Sequence, residues 1–137
     1  MTTNAVTEIA AAPSAKAAAH FAERLTFETD CSDVHAAVRS GNPGFILIDV
    51  RSPKLYAEGH VPGAINIPHG KLTAERLSGY PKDTLFVVYC AGPHCNGATK
   101  GALRLARLGR PVKEMIGGIT GWEEEGYDLS DTEITTD

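Results

Sequence analysis

No stretch of this chain approaches the ~20 consecutive apolar residues of a membrane-spanning helix, which argues against an integral helical membrane protein. Cysteine is scarce. The three present in 137 residues, Cys31, Cys90 and Cys95, are an odd number and do not form a disulfide framework, so the thiols read as reduced, in a cytosol-like compartment. A basic surplus is also missing: the formal net charge of -4 gives no general attraction to nucleic acid or to an anionic membrane. The N-terminus is alanine-rich, but Glu8, Pro13, Lys16 and His20 interrupt it and no basic start precedes an apolar stretch. It does not read as a secretory signal, and the expected location is the cytoplasm.

What is present fits one soluble domain with a real core: 42% of the residues are hydrophobic and 22% charged, near the average for globular proteins. Residues 1–24 read as an arm ending in a short helix capped by Ser14, with Phe21 and Leu25 on one face. Residues 25–130 form the domain, and 131–137 a frayed acidic tail. Within the domain, short apolar runs at 25–28, 45–50, 64–67, 84–89 and 112–116 read as strands. Helical stretches are predicted at 34–39, 53–57, 73–77, 96–108 and 120–125, with Gly and Pro marking the breaks. In the helix over 96–108, Ala98, Ala102, Leu105 and Ala106 recur at helical spacing, small enough for close approach to a sheet. Strands alternating with helices predict an α/β fold with a mainly parallel sheet. Ligands of such sheets bind beyond the carboxyl ends of the strands. Asp49, Arg51 and Cys90 all lie at strand ends, so they are candidates for one shared pocket.

The most informative segment runs from Leu85 to Gly97. A buried strand ends in Cys90, a tight Gly92-Pro93 loop follows, and a helix begins at once. Unpaired N–H groups and the positive end of the helix dipole both favour an anion there, and such surroundings lower a cysteine pKa. Cys90 is therefore the candidate nucleophile. Lys and Arg cluster from Lys100 to Lys113, either as a solvated helix face or as a local field for anions.

These residues resemble the rhodanese-like sulfurtransferases. The resemblance runs through Ile48-Asp49-Val50-Arg51, then the segment from Glu58 to Pro68 containing Gly59-His60-Val61-Pro62-Gly63-Ala64, and Val87-Val88-Tyr89-Cys90. It continues through the helix Ala102-Leu103-Arg104-Leu105-Ala106-Arg107-Leu108-Gly109 and ends on the stretch from Met115 to Trp122. It implies a five-stranded, mainly parallel sheet with helices on both faces. It also implies that Cys90 takes a sulfane sulfur from thiosulfate or a persulfide, holds it as a persulfide, and passes it to a thiol or cyanide-like acceptor, with no organic cofactor. Ala91, Gly92, Pro93, His94, Cys95 and Asn96 would wrap the sulfur with main-chain amides, an anion-binding nest; Asp49 and Arg51 would organise the loop. The oligomeric state is not implied.

The chain departs from the family pattern within that loop. Many rhodaneses place arginine five positions after the cysteine and serine or threonine at the sixth; here these are Cys95 and Asn96. The guanidinium that would grip thiosulfate is absent and Pro93 removes an amide donor, so thiosulfate is disfavoured as donor. Cys95 either lines the loop or acts as a resolving thiol on the Cys90 persulfide. His94 offers a hydrogen bond or a pH-dependent charge to an anionic donor. His60 reads as a turn-holder, Cys31 as packing, and Lys100 as a surface residue or a source of field. A zinc site is not expected, since Cys90, His94 and Cys95 lack a second ligand pair. Phosphatase chemistry is excluded by Asn96, where an arginine would have to hold phosphate. Two other functions stay open: a non-catalytic binding module of the same fold, and a thiol–disulfide reductase using Cys90 and Cys95.

Overall fold

The computed structural model describes residues 4–132; residues 133–137 of the acidic tail and residues 1–3 of the arm lie outside it. The strands β1 (Glu28–Thr29), β2 (Ile46–Asp49), β3 (Ile65–Asn66), β4 (Phe86–Tyr89) and β5 (Val112–Met115) form one sheet in the order β1-β5-β4-β2-β3. Every pairing within it is parallel. The near-continuous apolar runs of β2 and β4 follow from their central positions, where both faces are covered. Because side chains alternate, Leu47, Val87 and Tyr89 point into one core with Val34, Tyr56, Ile119 and Trp122. Ile48, Val50 and Val88 point into the other, with Leu72, Leu77, Ala98 and Leu105.

The helices α2 (Cys31–Arg39), α3 (Pro53–Glu58) and α5 (Gly118–Glu124) supply the first core, and α4 (Gly97–Arg107) the second. Helices thus cover both faces. Local chemistry fixes their starts. Asp30 caps α2 by accepting the Asp33 N–H at 2.8 Å, and Ser52 caps α3 by accepting from Leu55 ahead of Pro53 in the first turn. Small residues bring α4 close to the sheet: Ala98 and Gly101 are buried, and a β-carbon on Gly101 would lie 3.1 Å from Val50 Cγ1. Ala106, expected on the same face, points to solvent. Gly109 (φ 78°) ends the helix, with its own N–H on Ala106 O and that of Arg110 on Leu105 O.

Three expectations change. Helix α1 runs over Ser14–Phe27 and consumes the stretch expected as first strand; Pro13 precedes it, with no side-chain cap. An Arg24–Glu28 ion pair at 2.6 Å supports this extra turn. Phe21 and Leu25 face solvent on it. Residues 73–77 do not form a helix. Instead a 3₁₀ turn (His69–Lys71) is followed by turns only, although Thr73 Oγ1 accepts the Arg76 N–H in the manner of a helix N-cap. Arg110 then holds this segment by donating to Leu77 O and Tyr80 O. At the C-terminus, Ser130 exchanges main-chain bonds with His60.

Candidate active site

Cys90 follows β4 and sits at the floor of a cleft of about 390 Å³, lined by Gly92 to Asn96, Ala98, Thr99 and Glu114 to Gly118. Two neighbouring elements build it. From one side comes the first turn of α4. From the other comes α5, whose N-terminus clamps the start of the loop: Ile119 N–H donates to Cys90 O at 3.1 Å and Thr120 N–H to Ala91 O at 2.9 Å. The Thr120 hydroxyl adds a third bond, to Ala91 O at 3.0 Å. This clamp requires Gly117 and Gly118, both at positive φ; a β-carbon on Gly118 would collide with Cys90 O and Gly92 N. Loop residues Gly92, Pro93, His94, Cys95 and Asn96 therefore surround the cleft, while Ala91 is engaged by α5.

The two loop sulfurs are bonded. Cys90 and Cys95 form a disulfide with their Cα atoms 6.5 Å apart, in place of the reduced pair expected from the cysteine count. The loop closes on itself through Cys95 N–H to Gly92 O at 3.1 Å, which brings the second sulfur back over the first. The partners differ in access: Cys90 is only 7% exposed, whereas Cys95 is exposed. The sulfur of Cys90, expected to be open to solvent, is covered in this state. One main-chain amide is directed at a sulfur, Gly97 N–H, and Cys95 Sγ receives it at 3.4 Å. Gly97 also leaves room for the pair, since a β-carbon there would lie 2.8 Å from Cys90 Sγ and 3.4 Å from Cys95 Sγ.

Asp49 and Arg51 do not share this cleft. Asp49 pairs in register with Tyr89, so its side chain lies on the face opposite that of Cys90, in a network where Asp49 and Tyr89 are buried and Arg51 is partly buried. Arg51 donates to both Asp49 oxygens, at 3.0 Å and 3.1 Å from Nε and 2.7 Å from Nη2, and to Gly59 O at 2.6 Å. Tyr89 donates its hydroxyl to Asp49 Oδ2 at 2.9 Å and accepts the Val61 N–H at 3.0 Å. Burial works against the Arg51 charge, but Asp49 more than offsets it and the guanidinium is held more firmly protonated than usual. Burial first, then the Asp49 charge, push the Tyr89 phenol far above its ordinary range, so it serves as a fixed donor. The network organises the β2 and β3 loops and presents no charge to the cleft.

The remaining candidates fall outside the chemistry. His60 is buried with its ring nitrogens 2.8 Å from Tyr56 O and 2.9 Å from Thr132 O, holding its turn and the C-terminal segment. Cys31 is buried and lies 3.6 Å from both Ile116 O and Gly118 O; burial, then Asp30 and Glu125, push its thiol up to about 11. Lys100 faces a separate groove with His69, Arg104 and Arg107. Glu114, which sequence reasoning missed, lines the cleft and accepts the Thr99 hydroxyl at 2.8 Å. Its alignment with Val88 across β4 and β5 is what brings it there. Among the described residues, no lysine or arginine lines the cleft. Among the described residues, no group of three or more His, Cys, Asp or Glu side chains is placed to hold a metal ion, and no helix is long and apolar enough to cross a membrane.

The fold and site define a class: a parallel α/β domain carrying a cysteine loop between the fourth strand and the following helix. Residues 30–125 match the rhodanese-like domain model, and the chain belongs to that family. It is 42% identical over 86 residues to the HTH-type transcriptional regulator Rv0324 of Mycobacterium tuberculosis, aligning 62% of this chain but 37% of the regulator. It is 33% identical over 84 residues to a sulfurtransferase of Allochromatium vinosum, aligning 61% of this chain and 77% of that protein. The BH2092 protein of Bacillus halodurans superposes with a TM-score of 0.83 at 35% identity, covering 91% of this chain and 95% of that one.

Proposed function

We propose that this protein is a sulfurtransferase in which Cys90 carries the transferred sulfur. The observation that supports this best is the position of Cys90, at the carboxyl end of β4 and on the floor of an open cleft formed by its own loop and the turn before α5. The reduced Cys90 sulfur attacks the sulfane sulfur of a donor, the donor's remaining group leaves, and a persulfide stays on the protein. This divides one difficult transfer into two easier ones. The acceptor, a thiol or a cyanide-like nucleophile, then takes the outer sulfur. Kinship with a sulfurtransferase at 33% identity agrees with this reading.

The cleft favours an organic persulfide over thiosulfate as donor. Thiosulfate is a dianion, and the walls offer it the Glu114 carboxylate with no lysine or arginine. Incubation of reduced protein with each donor, followed by intact-mass measurement, tests the assignment. A gain of about 32 Da, transient in wild type, lasting in Cys95→Ser and absent in Cys90→Ser, is expected for a persulfide at this position. A protein that gains no sulfur from either donor as Cys95→Ser, and releases no sulfide as wild type, would be the binding-module alternative, and the assignment would fail. A second reading, thiol–disulfide exchange, is favoured by one observation, the Cys90–Cys95 bond.

A further inference from the structure

The disulfide joins the atom that would carry sulfur to the one thiol best placed to discharge it. In a Cys90 persulfide the inner sulfur is Cys90 Sγ, the same atom to which Cys95 Sγ is bonded here. The loop therefore already has a backbone path that delivers Cys95 to that atom, closed by the Cys95 N–H bond to Gly92 O and by the absence of a side chain at Gly97. The cleft above the pair is open enough for a small leaving group.

We infer that the protein, given the persulfide role assigned above to Cys90, releases its sulfur reductively as sulfide, with Cys95 as the resolving thiol. The Cys95 sulfur attacks Cys90 Sγ and the bond between Cys90 Sγ and the outer sulfur breaks. The outer sulfur leaves with the electron pair and takes the Cys95 proton, as hydrosulfide. The two cysteines have lost two electrons and the sulfane sulfur has gained them; the product on the protein is the observed disulfide. Turnover then needs two equivalents of an external thiol. The first attacks the sulfur of the exposed residue, Cys95, to give a mixed disulfide and expel the buried Cys90 as thiolate, since access directs the exchange. The second displaces Cys95, leaves as a disulfide of the reductant, and returns both cysteines to thiols. Exposure of Cys95 beside a covered Cys90 is the arrangement this order requires, because it regenerates the sulfur-accepting residue first.

The test is a single turnover in the absence of free thiol. Fully reduced, desalted protein is mixed with thiosulfate at high concentration, which brings no thiol with it, and sulfide and intact mass are followed in time. Wild type is expected to release about one sulfide per chain and to finish about 2 Da below the dithiol mass, while Cys95→Ser stays about 32 Da above its starting mass. Sulfide from Cys95→Ser should be at least about tenfold lower until a small thiol is added. Release of sulfide by Cys95→Ser at the wild-type rate, or a wild-type persulfide that persists without forming the disulfide, would overturn the inference while leaving sulfur transfer through Cys90 intact. If neither protein gains sulfur from thiosulfate or from glutathione persulfide, the sulfurtransferase reading itself falls, and the inference with it.

Discussion

At the scale of single residues, Gly97 is where helix propensity and local packing disagree. Alanine is a better helix former than glycine, so at Gly97, the first residue of α4, propensity alone would make Gly97→Ala mildly stabilising. Its β-carbon, however, would lie 2.8 Å from Cys90 Sγ, closer than real β-carbons approach, and that sulfur is tethered in the loop rather than the free end of a flexible chain. The expected outcome is a shift of about tenfold toward the dithiol in equilibrium with glutathione, about 1.4 kcal/mol in free energy. Glu114 presents the opposite case, a side chain that hinders instead of permitting. Removing one charge near a dianion at the water-screened limit is worth about 1 kcal/mol. Glu114→Gln should therefore raise kcat/KM for thiosulfate about fivefold and leave the value for a neutral persulfide donor nearly unchanged. Equal effects on both donors would show that the carboxylate does not act through charge.

The position of Cys90 in the fold was legible in the sequence because three signals coincide there: the end of an apolar run, a Gly-Pro loop, and a helix start. The placement of Asp49 and Arg51 was not, because it depends on register. Asp49 aligns with Tyr89 and not with Cys90, and a shift of one residue sends a side chain to the other face of a sheet. Glu114 was hidden for a related reason. A polar residue in a short strand looks like an exposed edge, and only the strand order, with β5 beside β4, brings it to the cleft.

At the scale of elements, the site depends on the junction of β4 with α5. The turn at Gly117 and Gly118 places two successive α5 amides on the carbonyls of Cys90 and Ala91. Gly118→Ala should cost at least about 2 kcal/mol, combining left-handed backbone strain with a collision against the cysteine loop. Chemical denaturation of the variant, compared with Gly126→Ala, separates the two contributions. Gly126 also has positive φ (83°), but a β-carbon there meets nothing. The Asp49–Arg51 pair joins β2 to the β3 loop in the same manner. Arg51→Ala leaves the Asp49 carboxylate buried with one neutral side-chain partner, and such losses run to about 3–5 kcal/mol. A change under about 1 kcal/mol in the same denaturation assay would show that solvent reaches Asp49 once Arg51 is gone. The failed helix at 73–77 belongs to this scale too: Arg110, distant in sequence, takes the carbonyls of Leu77 and Tyr80.

For the molecule as a whole, stability should respond to alkaline pH through Cys31. Its thiol is raised from 9.0 to about 11 in the folded state, so the unfolded chain loses that proton first. The contribution is complete below about pH 9, declines as pH rises, and is gone above about pH 11. Cys31→Ala should flatten the stability profile across this interval, while also losing the packing of a buried side chain. An unchanged slope between wild type and variant would remove Cys31 as its source. The α/β class and the two-faced sheet were legible because they follow from periodicity and from punctuation by Gly and Pro. The extent of α1 was not, since it exposes Phe21 and Leu25 and no apolar stripe marks where such a helix stops.

The opposed directions of Asp49 and Cys90 have a consequence for how this domain can change. Ionic groups that hold neighbouring loops together occupy one side of the sheet; Cys90 and its loop occupy the other. Residues between Pro93 and Asn96 can thus be exchanged to suit another donor without disturbing the charged cluster. Natural variation in chemistry should then concentrate in that short span, while the architecture beneath stays the same.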